Sequence, residues 1–198
     1  RTPAFGAGYS WFESKPRSIY ENCPIGHFLY IWDDSVVRSF CDAYQVPQHN
    51  MDNTYGKLFA DLSTSIENFI HEVKNKKSDA MTGDEWTVKD QLCHIVFWHE
   101  NYAANYKALA EHKNPPLPEG MATINMAGVL SLRSTPIRSL MMKLRAANTS
   151  LYQSIVINKV PRMTYSKGGR IYETADFLVM ITRHITNHAK QVKKAKDI

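Results

Sequence analysis

The stretch Thr174-Ala175-Asp176-Phe177-Leu178-Val179-Met180-Ile181-Thr182-Arg183-His184-Ile185-Thr186-Asn187-His188-Ala189-Lys190-Gln191-Val192 decides how this chain folds. Leu178, Ile181, Ile185, His188, Val192 and Ala195 follow one another at strictly alternating intervals of three and four. That spacing keeps one residue per turn on a single helical face and is the seam along which antiparallel bundle helices meet. His184 and His188 stand four apart, so their imidazoles lie on the same side one turn apart, spaced to hold a single ion. His188 falls in the apolar seam, and His184 beside it.

Working outward, three more helical segments carry the same kind of period. The first runs from about Thr54 to Lys76, with Leu58, Phe59, Leu62, Ile66, Phe69, Ile70 and Val73 on one stripe. The second opens with Thr87-Val88-Lys89-Asp90, where hydroxyl and carboxylate can both accept orphan amide protons. Its stripe is Val88, Leu92, Ile95, Val96, Tyr102, Tyr106 and Leu109. Pro115, Pro116 and Pro118 then stop the helix, and Gly120 and Gly128 lie in a long connection over 114–134. The third helix starts at Thr135-Pro136, passes through Ile137, Leu140, Met141, Leu144, Leu151 and Ile155, and closes at Val160-Pro161. The segment from Met163 to Ile171, with Lys167-Gly168-Gly169-Arg170 at its centre, reads as a turn or a small hairpin. These elements predict an all-α protein, a four-helix bundle with a long crossover between helices 2 and 3.

Residues 1–50 are different material. They hold ten of the twenty-two aromatics and four of the nine prolines, with no sustained period. The sequence predicts an irregular N-terminal extension over 1–50 and the bundle over 51–198, with Met51 as a natural start and the extension dispensable for folding. Charge divides the same way: four basic against five acidic residues in 1–50, and twenty against fourteen in 51–198, give −1 and +6. The positive excess gathers at Lys190, Lys193, Lys194 and Lys196, where cations complement the negative end of a terminal helix. Without interleaved aromatics or a broad stripe this is a solvated face, not a nucleic-acid surface.

No run approaches the ~18 apolar residues of a membrane helix, and residues 1–30 lack the order of a secretory signal. Cys23, Cys41 and Cys93 form no Cys-x-x-Cys pair, which argues against a disulfide framework or a thiolate zinc site. The expectation is a cytoplasmic protein without a membrane segment.

Two histidines facing a bundle interior need a chemical reason. Zinc and similar ions accept neutral imidazole nitrogen, and a catalytic site usually combines three protein ligands with one open position. On the second helix the third ligand is His94 or His99. The helical wheel puts His99 near the centre of the apolar stripe and His94 at its edge, which mildly favours His99 and leaves the choice open. Satisfied core histidines are the alternative.

Glu85-Trp86-Thr87-Val88-Lys89-Asp90-Gln91-Leu92-Cys93-His94, followed by Phe97-Trp98-His99-Glu100, resembles the second-helix signature of the DinB/YfiT-like bundles, nearest to the ClbS/DfsB branch. His184-Ile185-Thr186-Asn187-His188-Ala189-Lys190-Gln191 resembles the fourth-helix motif of the wider DinB group. The resemblance covers about residues 51–196. It implies a divalent metal (zinc, nickel or iron) held by His94, His184 and His188, and so selects His94 over His99. It departs from the ClbS-like branch at His184, a position often not histidine there.

An ion on three neutral imidazoles would acidify a water molecule or hold a thiolate. His99 is then the candidate base, ahead of Glu100, which lies far round the helix. Trp86, Trp98, Tyr102 and Tyr106 would line the substrate pocket, with plain packing the competing reading for each. The first functional expectation is a metal-dependent hydrolase or thiol transferase acting on a small electrophilic molecule, with a low-molecular-weight thiol as a second reactant. The second, from the ClbS-like branch, is a self-protection protein that binds or hydrolyses a reactive genotoxic metabolite without a metal. The third is a non-catalytic bundle that binds a small ligand or forms a homodimer. A di-iron carboxylate protein is excluded, because the chain has no pair of Glu-x-x-His motifs.

Overall fold

The computed structural model describes residues 53–83 and 85–196; the predicted extension 1–50, with Cys23 and Cys41, lies outside the described residues. The described part is mostly helical. Its elements in chain order are α1 (Asn53–Lys74), α2 (Val88–Ala110), α3 (Met121–Leu132), α4 (Ile137–Tyr152) with a π-helical turn over Gln153–Ile157, β1 (Arg162–Met163), β2 (Tyr172–Glu173) and α5 (Thr174–Lys193).

Each amphipathic stripe is buried as its period demands. Leu62, Ile66, Phe69, Ile70 and Val73 of α1 are buried, as are Phe177, Leu178, Ile181, Ile185 and Val192 of α5. α1 packs along α5, α2 packs along both α4 and α3, and α1 also meets α4. Thr87 caps α2 as predicted: its Oγ1 accepts from the Asp90 backbone N at 3.1 Å, and Asp90 Oδ2 accepts from the Thr87 backbone N at 3.1 Å. α4 begins later than expected. Pro136, not Thr135, is its cap residue, and no side chain caps it.

The connection over 114–134 departs most from expectation, since it contains the twelve-residue helix α3. Its apolar residues lie on every side of the helix and Gly128 interrupts it, so no single stripe marks it in the sequence. Gly128 is where α3 meets α2: a Cβ there would stand 2.5 Å from the Phe97 ring. At the other end Arg133 Nε donates to Asp90 Oδ1 at 2.9 Å, tying the end of α3 to the start of α2. Asp90 is buried, which acts to raise its pKa, but the hydrogen bonds from Arg133 and Thr87 outweigh that and hold the carboxyl below its usual range.

The hairpin is real and short. Arg162 pairs with Glu173 and Met163 with Tyr172, antiparallel, and Gly168 takes a φ of 68° in the turn between them. Thr174 then starts α5 while its Oγ1 donates to the Val160 carbonyl at 2.6 Å and accepts from Tyr106 Oη at 3.1 Å.

The loop between α1 and α2 matters for position. Met81 N donates to the Lys196 carbonyl and Lys196 N to the Met81 carbonyl, both at 3.0 Å, and Lys76 Nζ donates to the Ala195 carbonyl at 3.0 Å. This pins the loop to the end of α5, so residues just before α2 stand beside the last turns of the histidine-bearing helix. No helix among the described residues is long and apolar enough to cross a membrane. Lys190, Lys193, Lys194 and Lys196 are exposed.

Candidate metal centre

α2 is buried nearly all round, because α3, α4 and α5 all contact it. Polar side chains on several of its faces are therefore forced inside, among them Asp90, Gln91, His94, His99 and Asn105. His94 and His99 are five positions apart, roughly 140° round the helix at about 100° per residue. Both end up buried, but they meet different neighbours.

His94 faces α5. Its Nε2 stands 3.3 Å from His184 Nε2, which in turn stands 2.9 Å from His188 Nε2. One ring nitrogen from each of the three histidines lies within 4.8 Å of the others, an arrangement that could hold a metal ion. A tetrahedral ion with nitrogens at ~2.0–2.1 Å sets its ligands about 3.3 Å apart, and the His94–His184 and His184–His188 separations of 3.3 and 2.9 Å stand near that value. His94 is buried and the other two are half-buried.

Protonation fits as well. Burial, and then the neighbouring His184, pull the His94 pKa down to about 3, and burial pulls His184 down to about 4. His188 is held well below the usual histidine range by burial and by the other two rings. At neutral pH the three rings are uncharged, which is the form that ligates. The Nδ1 atom of His94 is buried and has no hydrogen-bond partner among the described residues.

His99 is not brought into this group. Its Nε2 lies 3.3 Å from Asn148 Oδ1 on α4, and Asn148 Nδ2 donates onward to Ser63 Oγ of α1 at 3.0 Å. Burial lowers its pKa to about 4, against the raising effect of its hydrogen bond to Asn148 Oδ1. The wheel places His99 at the centre of the apolar stripe, and His99 is buried. That face turns to α4, however, and the histidine at the stripe's edge is the one that reaches α5. Glu100 stays at the surface, paired with Lys143 at 2.9 Å.

Of the predicted pocket residues, Trp86 stands against His94, with ring centroids 5.0 Å apart. Trp98 stacks on Tyr102 at 5.8 Å and donates its Nε1–H to Asn125 Oδ1 of α3 at 2.7 Å. Tyr102 meets Phe177 edge-on at 5.1 Å, and Tyr165 lies 6.2 Å from both Trp98 and Tyr102. Tyr106 stands 5.6 Å from Phe177. Burial raises the Tyr102 hydroxyl far above the usual tyrosine range. Trp98, Tyr102 and Tyr106 therefore belong to an aromatic core one turn and more along α2 from His94.

The sequence reading missed Gln91 and Thr82. Gln91 precedes His94 by three residues and so shares its face, a spacing that marks it as a neighbour. Its Oε1 accepts a hydrogen bond from His188 Nδ1, and its Nε2 donates to Thr82 Oγ1 at 2.7 Å. Comparison of the chain with models of protein families, with curated proteins and with solved structures finds no match. The functional reading therefore rests on the chain's own side chains.

Proposed function

We propose that residues 51–198 form a four-helix bundle of the DinB/YfiT-like kind, with α3 as an insertion in its crossover, and that the chain is a metal-dependent hydrolase or thiol transferase. The packing of α1 along α5 and of α2 along α4 supports the bundle. The convergence of three neutral imidazoles from α2 and α5 supports the activity, and that convergence carries the reading. The order of the Trp86 to Glu100 and His184 to Gln191 motifs is similar to that family's pattern.

A divalent ion bound there would supply a Lewis acid able to polarise an electrophilic centre and to lower the pKa of water or a thiol. The chain's own contribution is positional. His94 is fixed by burial on α2, His184 and His188 by their one-turn spacing on α5, and the Trp86 ring covers one side of His94 with an apolar surface. All three rings present lone pairs without first losing a proton at neutral pH. The substrate class that suits such a site is a small electrophilic molecule, with a low-molecular-weight thiol as nucleophile in the transferase form.

The test is the metal content of the purified full chain beside a His184→Ala plus His188→Ala variant. One equivalent of zinc, nickel or iron in the wild type and none in the variant is expected. A wild-type chain that folds yet takes up none of the three ions refutes the reading. Turnover of an alkylating electrophile by the loaded chain, with and without a small thiol, then separates transferase from hydrolase.

A further inference from the structure

The Trp86 backbone carbonyl can only accept hydrogen bonds, and it fixes the direction of a chain of four groups that ends at His188. The Trp86 carbonyl receives both the Thr82 N–H and the Thr82 hydroxyl, each at 2.9 Å. The hydroxyl proton is thereby committed, so Thr82 Oγ1 must accept from Gln91, and the Gln91 group that reaches it at 2.7 Å is the amide NH2. The Gln91 carbonyl oxygen is then left facing His188 Nδ1, and as a pure acceptor it requires a proton on that nitrogen. A neutral imidazole carries one proton. His188 must therefore present a bare lone pair at Nε2, the atom that faces His184 Nε2 at 2.9 Å.

From this polarity we infer that Gln91 is a positioning residue for the metal centre, locking His188 in the Nδ1–H tautomer, and that Thr82 and the Trp86 carbonyl lock Gln91 in turn. The inference rests on the metal reading above and deepens it: the loop before α2 is the outer support of a site whose ligands lie on α2 and α5. The hydrogen bonds between Met81 and Lys196 hold that loop against the end of α5, so the support and the ligand it serves are fixed to the same place. Gln91 is buried. Outer partners of metal-bound histidines set ring orientation and basicity, and their loss typically weakens metal binding about ten- to hundredfold.

The experiment titrates the full chain with cobalt(II) and with zinc, following the cobalt absorption bands, for wild type, Gln91→Met, Gln91→Glu and Thr82→Val. Nitrogen-15 NMR of the metal-free chains at neutral pH reports the His188 tautomer independently. Expected are an affinity loss of about ten- to hundredfold in Gln91→Met, near-wild-type affinity in Gln91→Glu, whose carboxylate still accepts from Nδ1 once the Thr82 hydroxyl turns its proton from the Trp86 carbonyl to the carboxylate, and a smaller loss in Thr82→Val. Metal-free wild type should show His188 protonated at Nδ1, and Gln91→Met should lose that preference. If Gln91→Met does not fold, Thr82→Val carries the same comparison. A wild type that binds either ion while Gln91→Met and Thr82→Val bind equally well overturns the inference and leaves the metal reading standing. A metal-free wild type with the His188 proton on Nε2 overturns it too. A wild type that binds neither ion refutes the metal reading, and the inference falls with it.

Discussion

Lowering the pH from neutral should unfold this protein far earlier than its carboxylates alone would, because its buried histidines must stay uncharged to remain buried. His94 is held down to about 3 and His99 and His184 to about 4, in each case chiefly by burial. In the unfolded chain the same groups titrate near ~6.5. Between those limits the unfolded state binds more protons than the folded state, so stability rises with pH and is lost as pH falls below the unfolded value. At about pH 5 each histidine lies some 1.5 units below its unfolded pKa, which corresponds to about 2 kcal/mol of lost stability per group. The three together give about 6 kcal/mol, to be set against a total of roughly 5–15 kcal/mol for a domain. His188, lowered in the same direction, adds to this.

The assay is urea unfolding of the metal-free chain, followed by circular dichroism at a series of pH values from neutral to about 5, over which the urea midpoint should fall steadily. A His99→Gln variant removes one titrating group while keeping an amide partner for Asn148. Its stability should fall with pH about a quarter less steeply than the wild type's, as one of four titrating groups is removed. A urea midpoint that stays flat across this range in the wild type would refute the reasoning, because it would mean that these rings are solvated or already charged.

Three more outcomes follow from particular contacts. Thr87→Ala removes the α2 cap and a hydrogen bond to Asp90 Oδ2 of 2.9 Å, and should cost about 1–2 kcal/mol in urea unfolding; an unchanged midpoint contradicts the capping account. Gly128→Ala gains up to about 1 kcal/mol of helix propensity but drives a methyl into the Phe97 ring at 2.5 Å, an overpacking worth roughly 1–3 kcal/mol. The net effect should be destabilising, and it should turn neutral or favourable in a Phe97→Ala background. Cys93 is buried, with its thiol pushed up to about 11, mainly by burial, so iodoacetamide followed by peptide mapping should leave it unmodified in the folded chain and label it on unfolding. Rapid native labelling would show that the start of α2 opens.

Much of the fold was legible because helical period is a local property. The stripes of α1 and α5, the Thr87 cap and the glycine-bearing turn between β1 and β2 each depend on residues within a few positions of one another. The pairing of His184 with His188 was legible for the same reason, since four residues on one helix fix a one-turn separation. α3 was not legible, because its apolar residues cover all sides and no face is marked.

What the sequence could not decide is which face of a helix meets which neighbour. For α2 the wheel ranked His99 above His94, and a wheel has meaning only where one face is wet. α3, α4 and α5 surround α2, so both histidines are inside, and the rotation of the helix aims His94 at His184 and His99 at Asn148. The Gln91 relay is likewise a product of tertiary structure, joining residues 82, 91 and 188 through a loop pinned to the end of α5. By itself the sequence determined the helices and the residue types able to bind a metal. Their convergence was decided by packing, because it depends on contacts between residues about ninety positions apart.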